Sequence, residues 1–79
     1  MQSEEIQSMI ARGLPGSEVQ VSGDGRHFDA VVVTDAFTGK GLLEQHRMVY
    51  ATLGAKVGGD IHALTLRTYT REQWEQAHR

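Results

Sequence analysis

The chain has 79 residues, 39% of them hydrophobic, with 8 basic and 10 acidic side chains giving a net charge of −2. A chain this short buries only about 60% of its unfolded surface, which counts against a deep internal substrate cavity. It contains no cysteine, so a disulfide scaffold, a thiol nucleophile and an all-thiolate metal site of its own are excluded.

The first segment reads as an amphipathic helix. Ser3 is placed to cap it, Glu4 and Glu5 lie where the helix dipole favours acids, and Ile6, Met9 and Ile10 share a face. Gly13 and Pro15 stop it. Glu18 to Ser22 alternates with a period of two, as in a half-buried strand, and Gly23-Asp24-Gly25 supplies hairpin turn chemistry. His27 to Thr34, dense in valine, is the central strand. After a loop over Asp35 to Gly41, Leu42, Leu43, Val49, Tyr50 and Leu53 recur at helical spacing. Asp60 to Tyr69 is the third strand, and Thr70 with Gln73 makes a capping box for a short helix carrying Trp74 and Ala77 on its inner side.

The expected fold is α+β, in the order α-β-β-α-β-α, with helices on one face of a three-stranded mixed sheet. One domain covers residues 1–79. No run of 18 apolar residues can span a membrane. The acidic start Met1-Gln2-Ser3-Glu4-Glu5 is unlike a basic signal peptide, so the expected address is cytoplasmic.

The order of elements has a geometric consequence. Strands one and two, joined by a tight turn, pair antiparallel. Strands two and three, separated by a helix, run parallel if they are neighbours. Parallel neighbours start at the same edge, so His27 and His62 should meet at one rim of the sheet. Imidazole nitrogen suits zinc, copper and iron, yet two histidines do not complete a tetrahedral site. Any metal there needs ligands from elsewhere, which favours a site shared at a partner interface over a private one. His46, on the apolar stripe of the long helix, reads as a packed core residue, and His78 as a terminal residue favoured by the helix dipole.

Other chemistry finds little support. Ser17 and Ser22 have no evident base, and no carboxylate has an apolar setting, so the chain reads as a non-enzyme. Gly23-Asp24-Gly25 lies between two strands and has Phe28 at the third glycine position of a dinucleotide fingerprint. Gly39-Lys40-Gly41 lacks the leading glycine and the trailing hydroxyl of a phosphate loop. Charge is uneven: residues 1–25 sum to −3 and residues 26–71 to +2. The basic middle offers Lys40, Arg47, Lys56, Arg67 and Arg71 as candidates for a nucleic-acid surface.

Several ordered pieces carry a family resemblance: G-D-G-R-H-F at 23–28, F-x-G at 37–39, H-R-M-V-Y at 46–50, I-H-A-L at 61–64 and T-Y-T-x-x-x-W at 68–74. Together they resemble the BolA-like family, particularly its short IbaG-type branch. The resemblance implies the same α-β-β-α-β-α fold, similar to a type II KH domain. It also implies pairing with a monothiol (CGFS-type) glutaredoxin and a shared [2Fe-2S] cluster, in iron–sulfur trafficking or iron-linked regulation.

By that resemblance His62 is the ligand in I-H-A-L, and His27 occupies the hairpin position that holds Cys or His in the family. The glutaredoxin and a bound glutathione would supply the thiolates. Such a cluster should be acid-labile, because its imidazole ligands must be unprotonated. The runner-up implied by the KH-like fold and by regulatory relatives is a nucleic-acid-binding transcriptional regulator. A further alternative is a module that docks the glutaredoxin and holds no metal. The free chain is expected to be a monomer.

Overall fold

Helix α1 (Ser3–Gly13) starts where the carboxylate of Glu5 accepts a hydrogen bond from the Gln2 amide, 3.1 Å away. The cap is therefore Gln2, one residue before the expected Ser3. Ile6 and Ile10, one helical turn apart, are both completely buried and point the helix at the sheet. The computed structural model describes residues 1–78. It continues through β1 (Glu18–Gly23), β2 (His27–Val33), α2 (Leu42–Leu53), β3 (Ala63–Tyr69) and α3 (Arg71–Ala77), with single 3-10 turns at Asp35–Phe37 and Gly54–Lys56.

The sheet has the order β1-β2-β3. β1 pairs antiparallel with β2 from Glu18↔Val33 to Gly23↔Phe28, and β2 pairs parallel with β3 from His27↔Ala63 to Val33↔Tyr69. Both pairings follow from connection length: a three-residue turn returns the chain beside itself, while a helical crossover brings it back in the same direction. The inward face of β2 presents Phe28, Ala30 and Val32 to Ile6 and Ile10 of α1 and to Val49 and Leu53 of α2.

Helix α2 buries a different stripe from the one its hydropathy predicts. Gln45, Val49 and Leu53 face the core, whereas Leu42 and Leu43 are 65% and 64% exposed and Tyr50 is also exposed. Gln45 can be buried because its amide is satisfied on both sides. Its nitrogen donates to the Lys40 carbonyl at 2.8 Å, and its oxygen accepts from the Thr68 hydroxyl at 2.7 Å.

β3 begins at Ala63, three residues later than expected, because Lys56–Ile61 closes a small loop. Ile61 donates to the Lys56 carbonyl at 2.9 Å, and its own carbonyl accepts from Gly58 at 3.0 Å. The Ile61 side chain is then buried in the core, and His62 falls in the bend before the strand.

The expectation of helices on one face holds for α1 and α2. α3 carries the expected Thr70–Gln73 capping box, but its Trp74 lies against the opposite sheet face, beside Gln20, Val31 and Val33. Alternation turns Val33 away from the main core, and Trp74 is what covers it, while Ala77 is exposed. The rest of that face, with Gln20, Ser22, Asp29, Val31, Thr65 and Arg67, lines a shallow open depression. Among the described residues no helix is long and apolar enough to cross a membrane.

Candidate functional site

The rim where β2 and β3 begin is built by two loops. In the first, Asp24 donates its amide to the His27 carbonyl at 3.2 Å, and Gly25 takes the left-handed backbone (φ +97°) that the turn needs. Asp24 Oδ1 accepts from the amides of both Arg26 and His27, each at 2.9 Å. These two amides, His27 foremost, hold the Asp24 carboxyl below its ordinary pKa, since they stabilise the charged form more than the neutral one. Asp24 Oδ2 stands 4.0 Å from His27 Nδ1, and the two side chains are 70% and 76% exposed.

In the second loop, buried Ile61 is the anchor and His62, next to it, is left exposed. The loops are tied together across the sheet: Ala63 donates its amide to the Arg26 carbonyl at 3.3 Å, and His27 sits in register with Ala63. His27 and His62, which are 35 positions apart in the sequence, thus flank one backbone junction. Each is adjacent to a residue of the same hydrogen bond, and both are open to solvent.

The donor set limits what the rim can hold. Among the described residues no group of three or more His, Cys, Asp or Glu side chains is gathered as a metal site. Two imidazoles brought to one metal would leave half of a tetrahedral coordination shell to outside ligands. That fits an iron of a cluster shared between two molecules.

The remaining candidates disperse. Arg71 is engaged: its guanidinium donates to the Gly16 carbonyl at 2.8 Å and to Glu18 at 3.3 Å, and it lies 3.9 Å from Asp35. Lys56 pairs with Asp60 at 3.3 Å. Arg67 projects from the sheet face away from α2, whereas Lys40 precedes that helix and Arg47 lies on it. His46 is half-buried, less than the packed core residue expected from its spacing, and its enclosed Nε2 has no hydrogen-bond partner among the described residues. His78 packs against Trp74 in a tilted arrangement, with ring centroids 3.7 Å apart and 41° between the ring planes.

Two residues that shape the rim, Asp24 and Ile61, enter the sequence only as parts of the hairpin turn and of I-H-A-L, without the roles they take here. Asp24 could have been found from the ability of Asp side chains to bond the backbone two or three residues ahead.

The descriptive model of the BolA-like protein family matches residues 6–73. The acid stress protein IbaG of Escherichia coli is 36% identical over 75 residues, which cover 94% of this chain and 89% of the relative. The DNA-binding transcriptional regulator BolA of the same species is 46% identical over 54 residues, which are 68% of this chain but only 51% of the relative's length. Among solved structures, a bolA protein homologue from Coxiella burnetii superposes with a TM-score of 0.86 at 43% identity, covering 95% of this chain and 97% of the other. The family match over most of the chain, the identity to IbaG over nearly all of both chains and the close superposition agree, and the chain belongs to the BolA-like family.

Proposed function

We propose that this chain pairs with a monothiol, CGFS-type glutaredoxin and shares a [2Fe-2S] cluster with it and a bound glutathione, acting in iron–sulfur trafficking or iron-linked regulation. His62 and His27 would supply the nitrogen ligands. The observation that supports this reading is the placement of two exposed histidines at neighbouring strand starts, on either side of the Arg26–Ala63 backbone hydrogen bond. Family membership supports it through the role the resemblance implies. Histidine ligation removes negative charge from a cluster and raises its reduction potential relative to all-thiolate ligation. Because ligating imidazole must be unprotonated, the shared cluster would be released in acid.

The test is co-expression with a monothiol glutaredoxin. The expected product is a coloured mixed complex, and His62→Ala should abolish its mixed-ligand absorption spectrum while the variant keeps its fold by circular dichroism. An unchanged spectrum in that variant would remove His62 from the site. A stable but colourless wild-type complex would support docking without a cluster and overturn the proposal.

The relative described as a DNA-binding transcriptional regulator motivates a second reading, nucleic-acid binding through Lys40, Arg47, Lys56, Arg67 and Arg71. The arrangement of these side chains weighs against it. Arg71 and Lys56 are already paired with acids, and Arg67 stands on the opposite side of the sheet from α2.

A further inference from the structure

We infer that Asp24 is a positioning residue for His27, with one carboxylate oxygen fixing the hairpin backbone and the other facing Nδ1, so that Nε2 is the nitrogen presented for ligation. What Nε2 would ligate rests on the cluster-sharing reading above. Which nitrogen is turned outward rests on the geometry of the free chain.

The division of labour between the two oxygens carries the inference. Oδ1 is fully occupied by the Arg26 and His27 amides, both at 2.9 Å. Among the described residues Oδ2 makes no such bond, and it stands 4.0 Å from Nδ1, too long for a hydrogen bond in this conformation, between two exposed side chains. A turn alone does not need that second oxygen, since an asparagine carbonyl or a serine hydroxyl caps the same amides. A carboxylate beside a ligating imidazole has a distinct use: it accepts the proton of the non-ligating nitrogen, which sets the tautomer and the ring orientation. The backbone also restricts movement, because the His27 carbonyl is held by the Asp24 amide.

Asp24→Asn separates the two roles, as the amide group keeps an oxygen for the backbone but places an NH2 donor opposite Nδ1. We would record nitrogen-15 NMR of the full-length free chain at a pH where His27 is neutral. The wild type should show a His27 population dominated by the Nδ1–H tautomer. Asp24→Asn should move that population toward Nε2–H while the Arg26 and His27 amides keep their shifts. Asp24→Ser, which also retains a cap, should do the same and serves if the first variant loses the hairpin. In the glutaredoxin complex, either change should speed cluster loss roughly ten-fold.

An identical tautomer ratio in wild type and both variants would overturn the inference. A shifted ratio in a complex where even the wild type holds no cluster would support the Asp24 orientation and overturn the cluster-sharing reading.

Discussion

At Gly23 the chain has no room for a side chain. A Cβ there would overlap the His27 carbonyl oxygen and the Phe28 ring. The position thus joins turn geometry to the core, since Phe28 is among the largest fully buried residues. Gly23→Ala is expected to destabilise the protein by about 1–3 kcal/mol, the usual cost of forcing atoms into a packed site, measured as a lower urea midpoint with an unchanged slope. If the midpoint does not move, the hairpin can shift without disturbing Phe28. The two histidines were legible in the sequence because chain connectivity alone places strand starts. The role of Asp24 was not, because Asp-Gly reads as ordinary turn chemistry. Which of its oxygens meets which donor depends on the turn conformation adopted.

Helix α2 shows how a buried polar pair shifts an element. Hydropathy assigns Leu42 and Leu43 to the core and Gln45 to solvent, and the structure reverses this. The Lys40 carbonyl and Thr68 hydroxyl meet Gln45 only after the loop before α2 and the end of β3 have come together. Thr68 is 23 residues from Gln45, so no local pattern reveals the pairing. Thr68→Val, nearly isosteric, leaves the Gln45 oxygen buried without its donor. Its expected cost is about 1–3 kcal/mol, read as a loss of unfolding free energy, and a neutral effect would mean that water reaches Gln45.

Over the molecule as a whole, the two sides of the sheet differ. One carries the core and the helices α1 and α2; among the described residues the other is covered where Trp74 meets Val33, and Tyr69 packs edge-on against Trp74 with centroids 5.2 Å apart. Arg71 anchors this end by bonding Gly16 and Glu18, which consumes a cation that sequence reasoning left available for phosphate. Heparin binding should therefore be weak. The slope of log affinity against log salt should correspond to at most about two neutralised phosphates. A slope several times steeper would restore the nucleic-acid reading.

Element order, the antiparallel hairpin, the parallel crossover and the shared rim of His27 and His62 are all written in turn residues and connection lengths. Those constraints act between near neighbours or through chain geometry that few folds can violate. The inward turn of Gln45, the late start of β3 behind Ile61, the move of Trp74 to the far side and the pairing of Arg71 come from packing. Each depends on a partner distant along the chain, and periodicity says which side of an element is apolar without saying what will meet it. Local rules therefore bring positions 27 and 62 to one rim of the sheet, while long-range packing settles which neighbours surround them and which charges are paired.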